Sequence, residues 1–151
     1  MEKHKKRGVT LLETVIAMAL VVIISVAAYM TCDFALKTQK NSEIKNFFTQ
    51  ELENISMCYY NANNDVSIFE DTLSFSYNVE DIKNYVEYNT ITNELEDETI
   101  KGITFFYDSN LLFLEKLNKN NAKYKIVFDF DDLKLTAISI KTNNIVFERQ
   151  V

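Results

Sequence analysis

The feature that most constrains this chain is an uninterrupted apolar run near its N-terminus. From Val15 to Cys32 no residue is charged, and only Ser25 and Thr31 are polar. As a helix, the eighteen residues of this run rise about 27 Å, and the twenty-four residues from Val9 rise about 36 Å, against a hydrocarbon core of about 30 Å. The length therefore predicts a transmembrane helix.

Charge is distributed unevenly on the two sides of this run. The protein has 16 Lys and Arg against 22 Asp and Glu, a net charge of −6, but its first eight residues carry +3, which leaves −9 for the rest. A basic flank before the span and a long acidic body after it predict a cytoplasmic N-terminus and an extracytoplasmic body. The acidic body also disfavours direct nucleic-acid binding, because it would repel phosphates.

The single histidine narrows the chemistry that the body could perform. His4 lies in the basic leader, so neither a His-based catalytic triad nor a His metal site can be assembled downstream of it. The sequence therefore argues against these two kinds of catalytic and metal site in the body.

Glu13 is the residue of the apolar segment that most needs an explanation. A carboxylate within a bilayer costs several kcal/mol unless it is paired or protonated, so such a residue is a functional candidate. The alternative is a cleavable secretory signal peptide, for which Val26-Ala27-Ala28 before Tyr29 supplies a small-residue cleavage pattern. The apolar run exceeds the usual length of about 7 to 15 residues, and together with Glu13 this favours a retained helix.

The residues around Glu13 form a specific motif. Lys5-Lys6-Arg7-Gly8 followed by Val9-Thr10-Leu11-Leu12-Glu13-Thr14 and the apolar run resembles the N-terminus of type IV prepilins and pseudopilins, over Lys5 to about Cys32. The resemblance implies that a membrane prepilin peptidase cuts after Gly8 and N-methylates Val9. It also implies that Glu13, fifth in the mature chain, pairs with the terminal amine of a neighbouring subunit during assembly.

Two departures from the family pattern refine the expectation. Met30 occupies the position where many pilins have a helix-kinking proline, and the C-terminal cysteine pair of many major pilins is missing. We therefore expect a minor pilin or pseudopilin, which the resemblance implies is a structural subunit and not an enzyme, with no cofactor and no metal site of its own. The resemblance implies further partners, namely other pilin subunits, a platform protein, an assembly ATPase and membrane lipid. The alternative function is a signal-anchored single-pass protein with an extracellular binding domain, in which Glu13 would be incidental.

The periodicity of apolar residues predicts an α+β fold in four segments: a leader (1–8), a transmembrane and assembly helix (9–32), an amphipathic continuation of that helix (33–60) and an extracytoplasmic β-sheet domain (61–151). The residues Lys37–Glu43 are polar all round and predict an exposed neck. Beyond them a helical stripe is expected to pack on its own domain rather than on a separate partner. Its members are Ile44, Phe48, Leu52, Ile55 and Tyr59.

After the turn-rich residues 61–65 the apolar period changes to two, which predicts an antiparallel meander packed on the long helix. Strands are expected at 73–79, 103–108, 111–117, 124–130, 133–141 and 145–149, with a bulge between Leu135 and Ile138. Two-residue turns are expected at Asp131-Asp132 and Asn143-Asn144. The predicted sheet contribution to the core is Leu73, Phe75, Ile126 and Phe128.

Two acidic groups could be mistaken for metal sites. Residues 94–98 (ELEDE) lack the Asp/Asn-Gly pattern of a calcium loop, and residues 129–132 (DFDD) point to different faces. A solvated loop and a solvated turn are the preferred interpretations, with calcium at a filament interface as the alternative.

The two cysteines are predicted to be too far apart to pair. Cys32 and Cys58 would lie about 39 Å apart on a continuous helix, which excludes an intrachain disulfide. The body is therefore expected not to depend on a disulfide.

The composition also bears on the source of the chain. The usage of 14 Lys against 2 Arg, with 16 Asn, is typical of an AT-rich genome and favours a Gram-positive bacterium.

Overall fold

The computed structural model describes residues 3–63, 65–92 and 98–151. Two helices precede a five-stranded sheet, and 3₁₀ helices lie at Ile82–Asn84 and Lys116–Asn121. The main elements are α1 (Lys3–Asn61), α2 (Val66–Ser76), β1 (Val86–Thr92), β2 (Glu98–Tyr107), β3 (Tyr124–Asp129), β4 (Lys134–Ser139) and β5 (Asn144–Gln150). The strands pair antiparallel in the order β1-β2-β3-β4-β5. This confirms the predicted α+β layout with a long N-terminal helix and an antiparallel sheet.

The chain divides into two units, Met1–Ser42 and Glu43–Val151. The boundary lies in the polar stretch 37–43, where every side chain is exposed as the neck interpretation requires. The first unit contains α1 as far as Ser42, including its apolar part, and the second contains the remainder of α1 together with α2 and the sheet. The predicted segment limits at residues 8, 32 and 60 mark the expected cleavage site, the end of the membrane span and the end of the amphipathic helix. These limits stay predictions.

In the second unit, the predicted apolar stripe of α1 faces the core. Phe48, Leu52 and Ile55 are fully buried, and Tyr59 is 7% exposed. The ring of Phe48 lies 5.3 Å from that of Tyr124, and the ring of Tyr59 lies 4.8 Å from that of Phe128, so the stripe packs on β3. The fully buried strand residues that complete the core are Val86, Ile103, Phe105, Ile126, Phe128, Leu135 and Ala137.

The strand predicted at 73–79 is wrong, because most of this segment belongs to α2. The Asp65 carboxylate accepts hydrogen bonds from the amides of Ser67 and Ile68 at 2.9 and 3.2 Å, which caps the helix start. Leu73 is buried as expected, but it packs from a helix. Phe75 is 89% exposed and is not a core residue, since the helical period turns it away from Leu73.

The segment 111–117 is also not a strand. The Asp108 carboxylate accepts hydrogen bonds from the amides of Asn110 and Leu112 at 2.8 and 2.9 Å, so the chain turns directly after β2. Phe113 forms an isolated bridge with Tyr107, and a 3₁₀ helix begins soon afterwards. Sequence analysis missed β1, whose alternation is broken by a register shift between Asn89 and Thr90.

The last two hairpins occur where predicted but have longer loops. Residues 130–133 and 140–143 connect the strands, so the loops have four residues rather than two. Each loop has a single residue with positive φ, Leu133 at 49° and Asn143 at 53°, whereas a type I′ two-residue turn needs two such residues in succession. The predicted bulge in β4 is confirmed by a register shift between Ala137 and Ile138.

Candidate processing and assembly site

The three residues predicted for processing and assembly lie on the first turns of α1. Gly8, Val9 and Glu13 are all in helical backbone. Val9 and Glu13 are four residues apart, so their positions are separated by about 6 Å along the helix axis and fall on the same side of the helix. The structure therefore aligns the carboxylate with the position where cleavage after Gly8 would create a new amine.

The helix around Glu13 presents an apolar surface on every side. All described side chains from Thr10 to Glu43 are exposed. Large apolar residues are open all round the helix, from Leu11 at 69% to Ile16 at 51% and Ile24 at 66%. A soluble helix would bury such residues on one face, whereas a helix that is apolar all round suits lipid or a bundle of similar helices.

By length and composition alone, one helix in the described part of the chain could cross a membrane. It runs over Thr10–Asn61, near the N-terminus, and its most apolar stretch has a mean hydropathy of 2.5. This finding supports a membrane-anchored protein, and the predicted bounds of the span at Val9 and Cys32 stay a prediction.

Three hydroxyl groups of this span donate to backbone carbonyl oxygens of the same helix. Thr14 donates to the Leu11 carbonyl oxygen at 2.9 Å, Ser25 to that of Val21 at 2.8 Å and Thr31 to that of Ala27 at 2.8 Å. Backbone partners of this kind keep these three hydroxyl donors paired in an apolar surrounding. These hydroxyls therefore present no obstacle to membrane insertion.

Glu13 differs from the hydroxyl residues of the span. Among the described side chains it has no hydrogen-bond or ion-pair partner, and the next carboxylate along α1 is Asp33, which pairs with Lys37 at 2.7 Å beyond the apolar run. A carboxylate in an apolar surrounding requires a compensating group. Glu13 is thus a carboxylate on this surface that requires a partner from outside the described part of its own helix.

The acidic groups considered as metal sites give no further candidate. Residues 94–97 lie outside the described residues. The Asp129 carboxylate accepts hydrogen bonds from the amides of Asp131 and Asp132 at 2.9 and 3.2 Å, and Asp131 pairs with Lys101 at 2.6 Å. Over the described ranges, no group of three or more His, Cys, Asp or Glu side chains could hold a metal ion.

Sequence analysis missed a polar cluster on the second unit. The Glu70 side chain is largely buried, and its carboxylate accepts a hydrogen bond from the Tyr88 hydroxyl at 2.6 Å and pairs with Lys83 at 3.2 Å. The pKa of Tyr88 is raised by burial and by the nearby carboxylate, and that of Lys83 is raised by the same carboxylate. Because sequence analysis predicted no helix over residues 66–76, the inward position of Glu70 on α2 had no recognisable pattern.

This cluster lies beside a surface depression of about 500 Å³, which Thr90, Ile100 and Lys116 also line. The Glu70 carboxylate contacts both the Tyr88 hydroxyl and the Lys83 ammonium group, so the arrangement links α2, the 3₁₀ helix at 82–84 and β1.

The two cysteines are free thiols. Cys32 is exposed, and Cys58 is buried, with its pKa raised by that burial.

Comparison with known proteins bears on the N-terminal segment. A family model described as the prokaryotic N-terminal methylation motif matches residues 3–29, which include Gly8, Val9 and Glu13. Searches of curated proteins and of solved structures found no significant match to this chain. The match confirms the resemblance drawn from the residues: this chain carries the N-terminal methylation motif of the type IV prepilin and pseudopilin family.

Proposed function

We propose that this protein is a minor pilin or pseudopilin, a structural subunit of a type IV pilus-like filament. It is made as a membrane precursor, cleaved after Gly8 by a prepilin peptidase and methylated on the amine of Val9. The observation that carries the proposal is the methylation motif at residues 3–29 on a helix that is apolar and exposed on every side. The filament serves DNA uptake, secretion of the type II kind or pilus assembly.

The topology follows from charge. The basic leader stays in the cytoplasm, the span from Val9 to Cys32 lies in the membrane, and the second unit is extracytoplasmic in a Gram-positive envelope. During assembly the platform protein and the ATPase would extract the span from lipid into a bundle of similar helices. Because one apolar surrounding replaces another, packing and polar pairing must supply the orientation.

Glu13 supplies that pairing in this proposal. Cleavage after Gly8 creates a positive amine on Val9 at the end of an apolar helix, and Glu13 is the carboxylate that another subunit offers to it. Each charge alone in an apolar bundle is costly, whereas the pair compensates both. Its lack of a partner among the described side chains of its own chain supports this role.

The experiment that tests the proposal is mass spectrometry of the N-terminus of the protein isolated from its native host. We expect a chain that begins at Val9 and carries one added methyl group. The Gly8→Val variant should accumulate as the uncleaved precursor, because a side chain at this position obstructs the peptidase. Leu36→Val is the control, since it makes an apolar change on the same helix and should leave cleavage intact.

Two outcomes would contradict the proposal. A mature chain that begins at Tyr29 would identify a secretory signal peptide, and the filament role would then be wrong. A native chain that keeps Met1 and the whole leader in a host with an active prepilin peptidase would identify a signal-anchored binding protein.

A further inference from the structure

In the second unit, α1 and α2 lie side by side on the same face of the sheet. The ring of Phe128 on β3 lies 4.8 Å from that of Tyr59 on α1 and 5.9 Å from that of Phe69 on α2. The two helices also contact each other, since the Asn54 amide donates to the Ser76 hydroxyl oxygen at 3.0 Å. The sides of α1 and α2 that point away from the sheet are therefore adjacent.

Three large apolar side chains are exposed on this side of the helix pair. Met57 and Ile68 are at least half exposed, and Phe75 is almost fully exposed. Met57 lies two residues from the buried Ile55, and Phe75 lies two residues from the buried Leu73, so each points about 200° away from a core residue. We call Met57, Ile68 and Phe75 the outer helix face.

The polar side chains next to the outer helix face are already hydrogen-bonded. Asn54 and Ser76 bond each other, as described above, and the Thr72 hydroxyl donates to the Ile68 carbonyl oxygen at 2.7 Å. A partner can cover these groups without breaking their hydrogen bonds. The cost of taking this surface out of water is correspondingly low.

This surface carries little charge, although the second unit as a whole is strongly acidic. Glu43–Val151 has ten Lys and Arg against nineteen Asp and Glu, a net charge of −9. No residue from Asn54 to Asn64 is charged. In α2, which the structure describes throughout, Asp71 is the one exposed charge, because Glu70 is buried. Exposed Met and Phe side chains with few charges around them are typical of the centre of a protein interface.

The size of the outer helix face indicates which kind of partner could cover it. Three side chains expose on the order of a few hundred Å², whereas a stable complex in solution buries about 800 Å² on each partner. A partner from solution would therefore bind weakly. A partner anchored in the same membrane is present at a much higher effective concentration. Other copies of this chain meet that condition, because each has its own apolar helix.

Charge indicates which surface the second copy presents. Two units that each carry −9 repel each other, so they approach most easily where both are uncharged. The outer helix face of one copy should therefore meet the same face of the other, as in a two-fold interface. An axis parallel to the part of α1 in this unit keeps the α1 helices of the two copies parallel, as anchoring in one membrane requires.

We propose that two copies of this protein pair in the membrane through their outer helix faces, related by a two-fold axis parallel to α1 of the second unit. The helices form the two inner layers of the pair, and the sheets form the two outer layers. The inference rests on the membrane anchor of the proposed function. Pairing precedes cleavage after Gly8 and assembly into a filament.

Cysteine cross-linking of the full-length chain in membranes of its host tests the pair. In a Cys32→Ser background, Phe75→Cys should give a cross-linked dimer with a short bis-maleimide, because the two outer helix faces are in contact; Cys58 is buried and is left in place. Leu117→Cys is the matched control. Leu117 is 87% exposed, much like Phe75, but it lies in the segment Lys116–Lys119 away from the helix pair, and it should give no dimer.

The outcomes separate this inference from the proposed function. The Phe75→Cys dimer should also form in the uncleaved Gly8→Val precursor, because pairing precedes cleavage. If Phe75→Cys gives no more dimer than Leu117→Cys in a membrane-anchored chain, the pairing is wrong and the filament function is unaffected. A mature chain that begins at Tyr29 has no anchor, and it would overturn the proposed function and the pairing with it.

Opposite charges at position 75 test the two-fold relation itself. With Met57→Cys as the cross-linking position, Phe75→Glu and Phe75→Lys should each lower the dimer yield about tenfold or more, because like charges then meet across the axis. Co-expression of differently tagged copies, one with Phe75→Glu and one with Phe75→Lys, should restore a mixed dimer. Unchanged yields in the single variants, or losses that the mixture does not restore, would overturn the proposal.

Discussion

The hydroxyl of Tyr107 donates a hydrogen bond to Oε1 of Glu51 at 2.7 Å and so joins β2 to α1. Tyr77 donates to the same carboxylate oxygen. Burial, followed by the negative charge of Glu51, raises the pKa of Tyr77 well above the ordinary value of 10.0, and burial likewise raises the pKa of Tyr107. Both tyrosines therefore stay protonated in the folded protein at a pH where free tyrosine ionises.

This relationship predicts a loss of stability in alkaline solution. As pH rises past about 10, the unfolded chain releases the tyrosine protons and the folded chain retains them, so the free energy of unfolding falls. Denaturant titrations of a fragment beginning at Asp33, made between about pH 8 and pH 11, would measure this decrease in the free energy of unfolding. The double variant Tyr77→Phe/Tyr107→Phe should lose less stability over this range than the wild type. Tyr60→Phe, at an exposed position, is the control and should show the same pH dependence as the wild type. If the free energy of unfolding falls equally with pH in the wild type, the double variant and Tyr60→Phe, the prediction is wrong.

The core of the second unit predicts a sharp difference between two phenylalanines. Phe48 is fully buried on α1, and Phe75 is 89% exposed on α2. Phe48→Ala should lower the free energy of unfolding by about 3 to 5 kcal/mol, and Phe75→Ala by less than about 0.5 kcal/mol. Because the second unit has its own core, we expect the fragment from Asp33 to fold alone as a monomer, and its thermal melting would compare the variants. Equal melting temperatures of Phe48→Ala and Phe75→Ala would show that the stripe on α1 does not form the core.

Gly102 has a specific role in the sheet. A Cβ atom on Gly102 would lie 2.3 Å from the Phe128 carbonyl oxygen, which belongs to the neighbouring strand. Gly102→Ala must therefore separate β2 from β3, and we expect a loss of about 2 to 3 kcal/mol in the free energy of unfolding. Thr136→Ala, on β4, is the control and should cost less than about 1 kcal/mol. An unchanged denaturation midpoint of Gly102→Ala would show that the two strands do not approach this closely.

The N-terminal motif and the strands with clear alternation could be predicted from the sequence. Tyr124 to Phe130 alternate without interruption, and β3 occupies nearly the same residues. The stripe from Phe48 to Tyr59 likewise repeats with the helical period over several turns and is buried as expected. In these segments the local pattern and the tertiary packing favour the same structure.

The predictions for the other segments failed because the local apolar pattern of a few residues does not determine their structure. From Leu73 to Val79 the alternation of two is present, but the Asp65 cap and the buried pair Phe69 and Leu73 stabilise a helix. In β1 a bulge interrupts the alternation, and only pairing with β2 defines the strand. The Glu70 cluster and the contact of Tyr107 with Glu51 join residues far apart in sequence, which no local pattern can indicate.

The assembly role of Glu13 gives the most direct functional prediction. Glu13→Gln keeps the size and hydrogen-bonding capacity of the side chain and removes its charge. Membrane insertion should be unharmed or slightly improved, because an amide costs less in lipid than a carboxylate. Cleavage after Gly8 should also persist, since the scissile bond lies upstream.

Incorporation into filaments should fail in the same variant. Each new Val9 amine brought into the apolar bundle would lack its compensating carboxylate, at a cost of several kcal/mol. The measurement is the fraction of epitope-tagged subunit in sheared filaments compared with the fraction in membranes. Asp33→Asn is the matched control, because it makes the same carboxylate-to-amide change beyond the apolar run and should assemble normally. Normal incorporation of Glu13→Gln would show that this carboxylate is not the assembly residue, and a defect confined to membrane insertion would favour a simple anchor.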